Sequence, residues 1–223
     1  MNIVDVEIEY LGHSGFLLTY ERKKIAIDPY NVSNFEKVGK VDVVLITHSH
    51  YDHCSINDIQ KLSRVGTIVV VPVAAQSKVL RIKDIDMKII GVMGEREIDN
   101  IKIKAIPAYN IGKNFHQKDD EWLGYIIDFG KVVVYHAGDT DIIPEMKNIK
   151  EIYANKKIVA LLPVSGTYVM NAEEASRAAH LINPDIAIPM HYGIEGIGSL
   201  DDAHEFVRLC KENGINAMIL DKI

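Results

Sequence analysis

The chain has 223 residues, 48% of them hydrophobic and 25% charged, so it can bury a full core and does not have a disordered composition. A formal net charge of −6 argues against broad nucleic-acid binding, which relies on a basic face, although a local site can oppose the global sign. MNIVDVEIEYLG does not read as a signal peptide, and no uncharged apolar run reaches the ~18–20 residues of a membrane helix. Cys54 and Cys210 form no CxxC pair, so two reduced thiols in a cytoplasmic protein are expected. Residues 1–223 are read as one domain.

The first hundred residues read mainly as strands. DVEIEYLG alternates, and GFLLTY and KIAIDP follow with short charged turns. VDVVLIT, residues 41–47, is the β-branched run of a buried interior strand and delivers His48 at its end. Ser55 and Asp58 form a capping-box pair for a helix carrying Ile56, Ile59 and Leu62 on one face. Strand TIVVVPV, a short helix around AQSKVLRI, and strands MKIIGV and NIKIKAI come next. WLGYIIDF and VVVYHAG suggest a hairpin about Gly130-Lys131, and IVALLPV is a further strand. NAEEASRAAHLI is a helix capped by Asn171 and Glu174 and stopped at Asn183-Pro184. DIAIPMHY is a strand, LDDAHEFVRLCKEN a helix closed by Gly214, and INAMIL a last strand. This order predicts an α/β fold of two sheets with helices outside.

Polar residues gather just past strand ends: Asp28 after KIAI, His48 after VVLIT, Asp139 after VVVYHAG, and His191 after IAIPM. That edge of α/β sheets is where sites are built, so one site assembled from distant segments is expected. The densest segment is THSHYDHCS, residues 47–55, which holds three of the chain's nine histidines. H-x-H-x-D-H arises by chance in about one chain in a thousand of this composition. His48 and His50, two apart at a strand end, project to the same side and can chelate one ion. The following turn can send Asp52 and His53 to a second point. Asp139 and His191 are the natural outside ligands, and a carboxylate such as Asp139 can bridge two cations ~3.5–4 Å apart. Nitrogen and oxygen donors without thiolate suit zinc, and also manganese or iron.

THSHYDH resembles the H-x-H-x-D-H signature of the metallo-β-lactamase superfamily of metal-dependent hydrolases. Its companions occur in that family's order: GHSGF near the start, IDP before the motif, AGDT in the middle and MHY late, spanning residues 12 to 192. The resemblance implies a four-layer αββα sandwich with metals on one edge of the paired sheets. It is strongest toward the branch with sugar-phosphate lactonases and N-acyl phosphatidylethanolamine phospholipase D. By position it assigns His48 and His50 to a first metal site, and Asp52, His53 and His191 to a second, with Asp139 between them. Relatives usually supply a third histidine to the first site; here AIPAYN offers Asn110, and His116, six residues on, is either the replacement ligand or a substrate contact, the alternative to two metals being a weak first site with one metal sufficing.

The implied cofactors are two divalent ions, zinc first and manganese or iron(II) as alternatives, acidifying the attacking water. Asp52 is the residue to orient that water and accept its proton. His13 is a further catalytic or substrate-binding candidate in its Gly-flanked turn. Asp28 is expected behind the ligands, accepting from a histidine N–H. His136 reads as structural, His180 and His204 as surface residues, and Lys113 and Lys118 as loop charges. Gly166 and Thr167 either line the pocket or make a plain turn, and 110–121 is the candidate lid. The expected partner is a small-molecule ester, lactone or phosphodiester, with no nucleic acid and no membrane; self-association into a homo-oligomer is left open. The rivals are a nuclease of the same superfamily, which would need a basic surface, and a non-catalytic metal-binding protein.

Overall fold

The computed structural model describes all residues, Met1–Ile223. Its contacts divide into two compact units, Met1–Gly91 with Leu220–Ile223, and Val92–Ile219. The first unit is built on a seven-stranded sheet in sequential order: β1 (Asn2–Ile3), β2 (Val6–Gly12), β3 (Gly15–Tyr20), β4 (Lys23–Ile27), β5 (Val43–Leu45), β6 (Thr67–Val71) and β7 (Ile85–Ile89). Pairing is antiparallel from β1 to β4 and parallel from β4 to β7. Hence β2, β4 and β5 run the same way and end on one edge.

Alternation is clean in β2, where Val6, Ile8 and Tyr10 are buried and Glu7 is exposed. The unbroken apolar strands are buried on both faces, as such runs require. Leu17, Ala26, Val44, Val69 and Val71 share a core with Val38 of α1 (Phe35–Val38), Ile59 and Leu62 of α2 (Ile56–Leu62) and Val79 of α3 (Gln76–Val79). Their strand neighbours Leu18, Ile25, Ile27, Leu45 and Val70 are buried as well.

The second unit is a six-stranded sheet in the order β13-β12-β11-β10-β9-β8. Its strands are β8 (Glu95–Ile98), β9 (Ile101–Pro107), β10 (Leu123–Asp128), β11 (Val132–His136), β12 (Lys157–Pro163) and β13 (Ile186–Met190). The β10–β11 hairpin is present, and β11, β12 and β13 are parallel. After α4 (Ile149–Ile152), helices α5 (Ala172–Ile182) and α6 (Leu200–Glu212) pack on each other and on β12 and β13 respectively. The α5 cap is the reciprocal pair the sequence implies: Glu174 N–H donates to Asn171 Oδ1 at 2.8 Å, and Asn171 N–H to Glu174 Oε2 at 2.9 Å.

Two expectations need correction. INAMIL is not a strand: Ala187 and Ala217 make a single bridge before the chain goes on to pair Lys222 with Tyr10. Its pattern suits a strand, but a ladder needs several consecutive partners, and only Ala187 supplies them, through Asn216 O and Met218 N. β8 was missed because EREI is charged; its signal is the Asp99-Asn100 pair, both left-handed (φ 47° and 66°), which suits a tight hairpin turn into β9. No helix is long and apolar enough to cross a membrane.

Candidate functional site

In the first unit, site residues follow three strands that end on the same edge. His13 follows β2, Asp28 follows β4, and His48 comes three residues after β5. Asp28 is fully buried, as are Thr47 and His53, and His48 is 1% exposed. The Asp28 carboxylate accepts from Thr47 N–H at 2.8 Å and Thr47 Oγ–H at 2.5 Å, and lies 2.7 Å from His53 Nδ1. His48 and His50 rings stand 4.8 Å apart, and one ligand nitrogen of each lies within 4.8 Å of the other. His50 is exposed. Its carbonyl accepts from Cys54 N–H at 2.8 Å, closing the motif's turn, and Ser55 then caps α2.

Asp52 Oδ2 lies 3.0 Å from His13 Nε2 and 3.7 Å from His53 Nε2. One ligand atom each of His13, Asp52 and His53 falls within a 4.8 Å circle. His13 joins this set although the motif itself does not contain it. Tyr51, inside the motif, is exposed and meets Tyr30 edge-on at 5.8 Å; Tyr30 in turn meets His13 at 6.1 Å. Burial pushes the Cys54 thiol up to about 11, so it stands as a neutral, buried thiol beside His53.

In the second unit, β9, β11, β12 and β13 likewise end on one edge, and Asp139 and His191 follow β11 and β13. Asp139 Oδ2 is 3.1 Å from His191 Nε2 and 3.3 Å from His116 Nε2. The far nitrogens of those imidazoles are also held: His191 Nδ1 lies 2.8 Å from Ser165 Oγ, and His116 Nδ1 lies 2.9 Å from Tyr168 O. Asn110 occupies a different role. Its amide donates to Phe115 O at 2.9 Å and Tyr168 O at 2.7 Å, and its backbone N–H to His116 O at 2.7 Å, closing the loop that presents His116.

Segment 110–121 is therefore tied down. Asp141 accepts from Ile111 N–H at 2.8 Å and Lys113 Nζ at 2.5 Å, and Lys113 reaches Val169 O at 2.7 Å. Lys118 lies over the Tyr109 ring at 4.6 Å. His136 is buried, its Nδ1 accepting from Gly138 N–H at 3.2 Å, whereas His180 and His204 are exposed.

Four of the thirteen non-glycine residues with positive φ are site residues. His13, Asp28, His116 and His191 all have positive φ, at 55°, 42°, 54° and 62°, a region that non-glycine residues seldom occupy without a compensating role. The turn carrying Asp139 is equally constrained. Gly138 has φ +65°, and a Cβ there would stand 2.5 Å from Leu123 O. Gly138→Ala is expected to lower stability by about 2–4 kcal/mol, read from the urea midpoint; an unchanged midpoint would reject the tight-turn account.

Imidazole nitrogens and carboxylate oxygens, with no thiolate, are a fitting donor set for zinc, manganese or iron. The supporting contacts fit too, because ligating histidines characteristically have the other ring nitrogen bonded to a carboxylate, carbonyl or hydroxyl. Sequence reasoning missed Thr47, Ser165 and the Tyr168 carbonyl in that role. A hydroxyl residue directly before His48 was a signal for the first; the other two are reached only through the fold.

A family model described as the beta-lactamase superfamily domain matches residues 7–191. A UPF0173 metal-dependent hydrolase of Nanoarchaeum equitans is 34% identical over 222 residues, covering 97% of each chain. One of Pyrococcus horikoshii is 33% identical over 211 residues, covering 92% of each. Among solved structures, Igni18, a metallo hydrolase from Ignicoccus hospitalis, is 29% identical with a TM-score of 0.79, over 97% of this chain and 95% of that one. The α/β fold class expected from the sequence is that of these neighbours. With the donor set and these relatives together, the chain belongs to the metallo-β-lactamase superfamily, as a metal-dependent hydrolase.

Proposed function

We propose that the histidine and carboxylate sets of the two units act together on two divalent ions, zinc first, to hydrolyse a small ester, lactone or phosphodiester. His48, His50 and His116 would hold one ion and Asp52, His53 and His191 the other, with Asp139 between them. The observation that carries this reading is Asp139 Oδ2, on which the Nε2 atoms of His116 and His191 converge while their Nδ1 atoms are anchored elsewhere. A carboxylate so placed suits a bridge between two ions. The family match supports joining the two sets, because residues 7–191 include both.

Divalent ions bound there would supply Lewis acidity, lowering the pKa of water from ~15.7 toward ~7 and offsetting charge on the substrate oxygen. Asp52 would orient the attacking water and accept its proton at Oδ2. His13, 3.0 Å from that oxygen through Nε2, would hold the carboxylate in place and meet substrate. Asp28 would keep His53 oriented through Nδ1. His116 is preferred over Asn110 as ligand because its Nε2 stands 3.3 Å from Asp139 Oδ2 while its Nδ1 is anchored on the Tyr168 carbonyl.

The test is metal analysis of the purified protein, then a panel of ester, lactone and phosphodiester substrates with that metal. Two ions per chain and turnover of one class are expected. A protein that stays metal-free after zinc or manganese addition, or that binds metal and turns over nothing, would overturn the reading. His116→Ala is expected to lose one of the two ions; full occupancy in that variant would remove His116 from the ligand set and leave it as a substrate contact.

A further inference from the structure

Asp28, Thr47, His48 and His53 form a buried network whose protons can be counted. The geometry points to Thr47 as the residue that sets the tautomer of His48, placing the ring proton on Nδ1 and leaving the lone pair on Nε2. This rests on the proposed role of His48 and His53 as metal ligands, and adds a positioning residue to it.

An ionised carboxylate only accepts, and a hydroxyl has one proton to give. Thr47 Oγ is 2.5 Å from Asp28 Oδ2, so its proton goes to the carboxylate. Its second close contact, His48 Nδ1 at 3.0 Å, is then one in which the hydroxyl accepts, and His48 must carry hydrogen on Nδ1. His53 reaches the same result directly, because its Nδ1 lies 2.7 Å from Asp28 Oδ2 and must donate. The longer approach of His53 Nδ1 to Thr47 Oγ, at 3.5 Å, does not compete. One carboxylate and one hydroxyl thus hold two neighbouring imidazoles, 4.0 Å apart between ring centroids, in the same protonation pattern.

The pattern matters because a neutral imidazole can bind an ion through Nε2 only when that nitrogen has no proton. The backbone completes the arrangement: Thr47 N–H donates to Asp28 Oδ1 at 2.8 Å, so the residue is gripped from both its main chain and its side chain. Removing the hydroxyl would take away this acceptor for His48 Nδ1 and let the Nε2–H tautomer compete, while His53 keeps its own contact with Asp28.

The experiment is nitrogen NMR of the metal-free protein with labelled histidine, beside zinc titration. In the parent, His48 and His53 are both expected to carry the proton on Nδ1. A parent His48 protonated on Nε2 would overturn the proposal without any variant. Thr47→Val is expected to give mixed tautomers at His48 alone and to weaken zinc binding about 10–100-fold, with Thr47→Ser restoring both. A folded Thr47→Val protein with the parent's His48 signals and zinc affinity would also overturn it. The tautomers are read without metal or substrate, so absence of hydrolysis would count against the proposed activity and leave this inference to its own result.

Discussion

Asp52→Asn is expected to lower kcat by about three orders of magnitude while KM shifts by less than about threefold. The amide keeps the shape of the side chain and an oxygen for a metal, but loses the basic oxygen that would accept a proton from water. Asp52 is 7% exposed, and its Oδ2 sits within hydrogen-bond distance of His13 Nε2, so the carboxylate is held rather than mobile. Metal content of the variant must be measured alongside the rates. A fall in kcat with both ions retained supports the proton-accepting role. An unchanged kcat would reject it, and a rate loss that tracks metal loss would reduce Asp52 to a ligand. His13→Ala should act in the same direction but more weakly, since it removes the partner that holds the carboxylate and not the base itself.

The second large effect is expected at Asp28. Asp28→Ala would strand three buried donors at once: Thr47 N–H, Thr47 Oγ–H and His53 Nδ1–H. At ~1–3 kcal/mol for each unsatisfied buried group, a loss of about 3–5 kcal/mol is expected even after the hydroxyl turns to another acceptor. Zinc affinity should fall by at least about 10-fold, because His53 loses its Nδ1 partner and Thr47, its proton no longer taken by the carboxylate, can donate to His48 Nδ1. Asp28→Asn, which keeps one accepting oxygen, should fall between the parent and Asp28→Ala in both measurements. Denaturation by urea and zinc titration check the pair. A stability change below about 1 kcal/mol for Asp28→Ala would mean that the network contributes little to the folded state.

Much of this is legible in the sequence. The alternation of Val6, Glu7 and Ile8, the β-branched run before His48, and the Asn171–Glu174 cap are local signals, because each depends on side-chain period or on residues a turn apart. The cluster His48, His50, Asp52 and His53 was legible for the same reason: six consecutive positions specify it. Boundaries were less so. The run 41–47 yields only Val43–Leu45 as paired strand, and the helix expected around AQSKVLRI is confined to Gln76–Val79 with a short 3-10 turn before it. A strand needs partners along its length, and period alone does not supply them. The same reason undid INAMIL, and the charges of EREI hid β8.

From the sequence alone came the α/β class, the metal-ligating motif and the candidate ligands Asp139 and His191, because short-range pattern and strand ends determine them. The tertiary structure alone decided which histidine Asp28, expected behind the ligands, supports, namely His53, and that Ser165 backs His191 and the Tyr168 carbonyl backs His116. It also decided that Asn110 serves the loop while His116 faces Asp139. These are hydrogen bonds between residues 25 to 52 positions apart. Their geometry is set by which strands lie side by side, a property of the packed sheet that no local period encodes.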